Sequence, residues 1–305
     1  VRWYVKAVRG ELRYFWNLTS SRLRKKKSYG KPLVRYRHKG LVTPNYDQPV
    51  CFFCSYDKQN LVRKNVYYYL DALAVAGFNT IFISSSDGIS DIDLKKLSEY
   101  CICIINRENK GYDFYGWKTG LEEYPQYKSH AALLLANDSV LGPLFSIDDL
   151  VPNMERCDAD IIGMTDSLRF YPHLQSYFLY CKKSVIVSDD FINFFNQVDV
   201  LELKEAIIRR YEVGFSRLLG LRFSAAALYG LKHVLERVSY EERPKMWIEP
   251  TFHLWKTLIT EFKFPFIKKS LLARKGVSIK EISEVLATAN SDYNVEILND
   301  WLRGG

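Results

Sequence analysis

The chain has 305 residues, with 43 Lys or Arg against 35 Asp or Glu, a net charge of +8, and 48% hydrophobic residues. That length holds one large domain with an elaboration, and the hydrophobic share is that of an ordinary globular protein. Six cysteines are too few for a disulfide scaffold of this size, and no apolar run reaches the ~18 residues that a membrane span needs.

The charge is divided along the chain. Residues 1–40 hold thirteen Lys or Arg and one acid, Glu11, a local charge of +12, so everything after Gly40 sums to −4. An acidic body argues against a nucleic-acid-binding face, and no nucleic acid is expected as a partner. The basic arm, with Trp3, Tyr4, Tyr14, Phe15 and Trp16 among its cations, suits an anionic membrane surface or another anionic polymer. Packing of the arm on its own body is the bland alternative. The start shows no continuous apolar core and no small-residue cleavage site, so a secretory leader is not expected.

After the arm, Val50–Cys54 reads as a strand with Ser55-Tyr56-Asp57 at its tip. Asn60–Ala76 reads as a helix, stopped by Gly77. Thr80–Ile83 is a second strand and Asp91–Tyr100 a short helix. Cys101–Ile105 is a third strand, and the chain turns helical after Phe114. Ala131–Ala136 is a fourth strand, Ile147–Arg156 a helix, and Ala159–Met164 another strand. This alternation predicts a parallel, layered α/β sheet with right-handed crossovers. Tyr177–Tyr180 reads as an edge strand. Beyond it, Asp190–Gln197, Leu201–Leu219, Ser224–Tyr229, Trp247–Phe262, Val277–Leu286 and Val295–Leu302 read as helices.

Asn137-Asp138-Ser139 is the most informative spot. Six apolar residues without alternation, 131–136, predict a strand buried on both faces, and it ends in an amide, a carboxylate and a hydroxyl. In open α/β sheets the carboxyl edge is where ligands bind. An Asx turn capping the strand is the competing explanation. The polar segment from Asn106 to Phe114 follows another apolar run and carries Arg107, Lys110 and Gly111. Two such loops suggest a phosphate-bearing ligand.

Other chemistries find no support. There is no Gly-x-Gly-x-x-Gly after the first strand and no Gly-Lys-Ser/Thr loop, which argues against a dinucleotide oxidoreductase or a P-loop kinase. Cys51-x-x-Cys54 lacks a second pair and would point to opposite faces of a strand, so buried structural cysteines and a reducing compartment are expected. The five histidines show no metal spacing.

Four blocks occur in order: Gly111-Tyr112-Asp113-Phe114-x-x-Trp117-Lys118; Leu134-Leu135-x-Asn137-Asp138-Ser139-Val140-x-Gly142-Pro143; Gly163-x-Thr165; and His173-x-Gln175-Ser176-Tyr177-Phe178. Weaker echoes follow at Tyr211-Glu212-Val213-Gly214 and Pro265-Phe266-Ile267-Lys268-Lys269. Together they resemble the rhamnan-synthesis F family of bacterial glycosyltransferases. The resemblance implies a GT-A-like nucleotide-sugar-binding sheet sandwiched by helices, with a helical C-terminal elaboration. With the charge and the pattern of elements, the chain divides into three expected regions: a basic arm over 1–45, the nucleotide-sugar-binding domain over 46–185, and a helical acceptor-side region over 186–305. The implied reaction moves a deoxyhexose, L-rhamnose from dTDP-L-rhamnose, with inversion, onto a growing surface polysaccharide. The partners implied are the nucleotide-sugar donor and a lipid-linked or polymeric glycan acceptor. The place would be the cytoplasm, peripheral at the inner face of the membrane.

Tyr56, Asp57, Arg107 and Asp113 would hold base and ribose, Lys118 would reach a phosphate, and Asn137 and Ser139 would join in binding the nucleotide sugar beside Asp138. His173, Gln175 and Ser176 would line the sugar or acceptor pocket. Related enzymes place an Asp-x-Asp pair and a divalent cation across the diphosphate. Here only Asp138 stands at that point, so Mg²⁺ or Mn²⁺ on Asp138 and metal-free chemistry both stay open. The inverting reaction needs one carboxylate base, Glu212 at a helix start or Asp166 after Gly163-Met164-Thr165. Two other classes remain: a non-catalytic nucleotide-sugar-binding module, and an anionic-polymer- or membrane-binding protein acting through its arm.

Overall fold

The computed structural model describes residues 33–243 and 249–303, with Leu12, Phe15, Trp16 and Thr19 of the arm. Most of the expected basic arm therefore lies outside the described residues, as does Trp247. Phe15 and Trp16 are exposed.

One eight-stranded mixed sheet organises the molecule. Its strands are β1 (Val34–Lys39), β2 (Val50–Ser55), β3 (Asn79–Ser84), β4 (Cys101–Arg107), β5 (Ala132–Asn137), β7 (Ile161–Gly163), β10 (Phe178–Lys182) and β11 (Ala225–Ala227). Two-residue ribbons flank it: β6 (Val140–Leu141) with β12 (Ile267–Lys268), and β8 (Asp166–Ser167) with β9 (His173–Leu174). The order across the large sheet is β1-β4-β3-β2-β5-β10-β7-β11. Strands β4, β3, β2 and β5 are parallel, whereas β1 runs antiparallel to β4 and β10 antiparallel to both β5 and β7.

The apolar runs form the centre because alternate residues fill opposite layers. Cys51 and Phe53 of β2 join Leu134 and Ala136 of β5 under the helix Lys64–Val75. Val50, Phe52 and Cys54 face the other way with Leu133 and Leu135. They pack against Phe114, Trp117, Phe191 and Phe215 from the helices Tyr112–Glu123, Asp189–Asn196 and Val213–Leu219. The two cysteines of the Cys-x-x-Cys pair thus lie in different layers, and all six cysteines are free thiols. A third cluster gathers Leu141 and Leu144 with Trp255, Ile259, Ile267, Leu271, Ile282 and Leu298 of the C-terminal helices.

The structure corrects five expectations. Residues 177–180 do not form an edge: β10 sits between β5 and β7, and Phe178, Leu179 and Tyr180 are buried. Ser224–Tyr229 is not helical. Its alanines form β11, paired in parallel with β7, and the next helix is Leu231–Glu236. The sheet is mixed rather than all parallel, since β1 and β10 turn back against it. The helix read over 201–219 is interrupted by a π-helical turn, Ile208–Glu212. The one read over 247–262 is split into Pro250–His253 and Trp255–Phe262.

Candidate active site

The site is built where strand order reverses, between β2 and β5, the switch point at which α/β sheets open a crevice. Ser55 closes β2, and its Oγ donates to Asp138 Oδ2 at 3.0 Å across the gap. Asn137 closes β5 and uses both ends of its amide. Its Oδ1 accepts Ser139 N at 3.0 Å, the expected Asx turn, while its Nδ2 donates to Asp113 Oδ2 at 3.0 Å. Asp113 arrives from the first turn of the helix Tyr112–Glu123, whose entry residue Gly111 has φ +76°. A side chain there would be strained, and its Cβ would lie 2.7 Å from Tyr115 Cβ. Trp117, fully buried, fastens that helix to the sheet by sharing its indole N–H between Phe52 O and Ala136 O, both at 3.2 Å.

A cavity of about 660 Å³ opens beside these strand tips. Asp113, Asn137 and Ser139 border it from the sheet side, and Glu212 from the π-helical turn. Glu212 Oε1 accepts Ser176 N at 2.8 Å and lies 3.9 Å from His173 Nε2. His173 Nδ1 is 2.6 Å from Tyr171 O, which can only accept, so Nδ1 carries a proton. Gln175 is buried and ties the wall together: its Oε1 accepts the Thr165 and Thr251 hydroxyls, and its Nε2 donates to Glu249 Oε1 at 3.4 Å.

The far wall is charged. Arg169, Lys204, Glu249, Lys268 and Lys269 all border the cavity. Lys268 Nζ meets Glu249 Oε1 at 3.1 Å, and Lys269 Nζ meets Asp138 Oδ2 at 3.2 Å. Burial works against ionisation of Glu249, but the Lys268 ammonium, with Arg169 and His253, outweighs it and holds this carboxyl below its ordinary value. Asp113 goes the other way. Burial, reinforced by the nearby Asp138 and Glu212 carboxylates and opposed by Arg107 and Lys204, pushes its pKa up to about 7.

The structure thus brings Asp113, Asn137, Ser139, His173, Gln175, Ser176 and Glu212 to one cavity. Asp138 stands directly behind them, held by Ser55 and Lys269. Five other expected contacts are corrected. Arg107 is buried, its guanidinium donates to the carbonyls of Glu108, Lys110 and Tyr112, which shapes the loop, and it is not among the residues bordering the cavity. Lys118 Nζ is likewise directed to the carbonyls of Asn196 and Val198. Asp57 closes its own turn, accepting from Gln59 N, Leu61 N and Arg63 Nε. Tyr56 is 47% exposed and is not among the residues bordering the cavity. Asp166 accepts Leu231 N at 2.6 Å, at the start of the helix Leu231–Glu236, and is not among the residues bordering the cavity.

The strand tip itself offers a divalent cation one carboxylate, Asp138. Among the described residues no three His, Cys, Asp or Glu groups are gathered to hold one. The one carboxylate, Asp138, already faces an ammonium at 3.2 Å, and the Asn137 amide is used at both ends. Sequence reasoning missed Arg169, Lys204, Glu249 and His253, which come from separate segments with no motif of their own. The signal for Lys268 and Lys269 was present in the Pro265–Lys269 echo, without a placement.

The sequence profile of the rhamnan synthesis protein F family matches residues 80–303. The uncharacterized protein y4gN of Sinorhizobium fredii is 28% identical over 179 residues, 57% of this chain and 46% of that protein. The chain therefore spans less than half of that relative. The virulence protein VirA of Vibrio anguillarum is 28% identical over 287 residues, 81% of this chain and 87% of that one. Among solved structures, a WbbM bifunctional glycosyltransferase in its apo form aligns with 86% of this chain and 53% of its own, at 10% identity. The TM-score is 0.40, too low for that likeness to bear on fold or function.

Proposed function

The chain belongs to the rhamnan synthesis protein F family, and from that premise we propose that it is a glycosyltransferase whose nucleotide-sugar donor binds in the cavity at the carboxyl edge of the sheet. The observation that carries this reading is the convergence of Asn137 and Ser139 at a strand tip, Asp113 at a helix start and Glu212, from well past the sheet core, on one cavity. The donor proposed is dTDP-L-rhamnose. The acceptor is a hydroxyl of a lipid-linked or polymeric glycan, and the site of action is the inner face of the membrane.

In the reaction the acceptor oxygen attacks the anomeric carbon on the face opposite the phosphate. The bond from that carbon to the phosphate oxygen breaks, and the nucleoside diphosphate leaves with the electron pair. The acceptor proton passes to Glu212. Ser176 N holds Glu212 Oε1, which leaves Oε2 to take the proton. His173 backs the same carboxylate from 3.9 Å. Asp113 is the second reading for the base, favoured because burial holds its proton affinity near neutral pH, where a general base works best. Asn137 orients Asp113 in either case. No step is assigned to a divalent cation.

The test is incubation of the purified protein with dTDP-L-rhamnose and a panel of other nucleotide sugars, following nucleoside diphosphate release and the anomeric configuration of the product. Release from dTDP-L-rhamnose with inversion supports the proposal. Binding without turnover, with or without a glycan acceptor, would make the chain a non-catalytic module, and release from another donor alone would overturn the sugar assignment.

A further inference from the structure

Departure of a nucleoside diphosphate needs positive charge at the diphosphate, and neither Arg107 nor Lys118 is placed to supply it. Both direct donors to backbone carbonyls, and neither borders the cavity. The cavity does present cations on the segment opposite the strand tips. Strand β12 pairs antiparallel with β6, placing Lys268 opposite Val140, and Lys269 N donates to Ser139 O at 3.0 Å. The C-terminal segment is therefore fastened by backbone hydrogen bonds to the very residues that follow Asp138. Both lysines border the cavity, and their side chains are 17% and 18% exposed.

Building on the glycosyltransferase reading, we propose that Lys268 and Lys269 bind the diphosphate of the donor and neutralise it as it leaves, in place of a metal ion. Each ammonium has three N–H donors and gives one to its carboxylate partner, Lys268 to Glu249 and Lys269 to Asp138. Two donors on each remain to face phosphate oxygens. The carboxylates act as positioning groups: they hold two flexible stems in one place before the ligand arrives, which lowers the ordering cost of binding. On this assignment Asp138 is the anchor of Lys269 rather than a metal ligand.

The experiment measures binding of UDP, GDP and dTDP, and of the matching monophosphates, by calorimetry, in EDTA and in Mg²⁺ or Mn²⁺. Wild type is compared with Lys268→Met, Lys269→Met and the charge-keeping Lys269→Arg, each checked for a native unfolding transition. The preferred nucleoside diphosphate should bind wild type in EDTA. Each Met variant should lose about 10–100-fold in diphosphate affinity with little change for the monophosphate, and Lys269→Arg should recover most of it. A merely structural role would lower both affinities together, and that result would overturn the proposal. So would binding that requires the divalent cation and ignores the lysines, although the glycosyltransferase reading would then survive. If wild type binds none of the nucleotides under any condition, both fall.

Discussion

Asp113 and Glu212 offer carboxylates to the same cavity, but their surroundings differ. Glu212 is held in place by the Ser176 backbone N–H, 2.8 Å from its Oε1. Glu212→Gln keeps the shape and removes the proton acceptor, so it should slow transfer by about 10²–10⁴-fold while leaving donor affinity nearly unchanged. Steady-state kinetics beside calorimetry separate the two effects, and unaltered turnover would pass the role to Asp113. Asp113 makes a prediction about stability. Its folded pKa is raised from 3.8 to about 7. The unfolded chain gives up this proton near pH 4 and the folded chain only near pH 7, so this group's contribution falls as pH rises across that interval and then levels off. Asp113→Asn should therefore be more stable than wild type at pH 8, by roughly 1–3 kcal/mol, with the advantage gone below pH 4. Urea unfolding at pH 4, 6 and 8 measures it, and an equal difference at all three values would contradict the burial argument.

At the scale of elements, the site depends on two chain segments lying closer than side chains allow. Gly142 has φ +136°, and a Cβ there would stand 2.3 Å from Pro265 O. Gly142→Ala should push β12 off β6, cost about 1–3 kcal/mol, and weaken nucleoside diphosphate binding with it. Thermal unfolding paired with calorimetry would show whether the two losses travel together, and full diphosphate affinity in a destabilised variant would disconnect the ribbon from the site. Arg107→Ala belongs here too. It strips the partner from the carbonyls of Glu108, Lys110 and Tyr112 and should cost about 2–4 kcal/mol in urea unfolding, with donor affinity altered only through the fold. This residue also shows what a sequence can carry. The strands β2 to β5 were legible because continuous apolar runs flanked by polar tips admit little else, and the strand tips at Asn137 and Asp113 followed from them. Strands β1 and β11 were not, because β1 is largely exposed and the Ala225–Ala227 run has strong helix propensity that pairing with β7 overrides. The charge at Arg107 was legible, but its direction was not. Lys268, Glu249 and Arg169 reach the cavity through contacts between distant segments, which no local spacing encodes.

For the whole molecule the deciding fact is that charge and cavity occupy different parts of the chain. Residues 1–40 carry +12 and the remainder −4, while every residue bordering the cavity lies past Tyr112 or is Tyr112 itself. Among the described residues no helix is long and apolar enough to cross a membrane. Attachment to a bilayer would thus fall to the arm, by attraction between its cations and acidic headgroups, with aromatic side chains such as Phe15 and Trp16 at the interface. An acidic body gains nothing from such a surface and is mildly repelled by it. The expected outcome is preferential binding to vesicles containing phosphatidylglycerol over neutral phosphatidylcholine vesicles at low salt. Roughly 0.5 M salt should abolish the preference, because the screening length then shrinks well below 10 Å. A variant lacking residues 1–32 should lose the preference entirely yet bind the nucleoside diphosphate as the full chain does, since β1 and all cavity residues remain. Vesicle sedimentation and calorimetry on the same two proteins make the comparison. Equal partitioning of the full chain to both vesicle types at low salt, or undiminished acidic-vesicle binding after the deletion, would place membrane contact on the body instead.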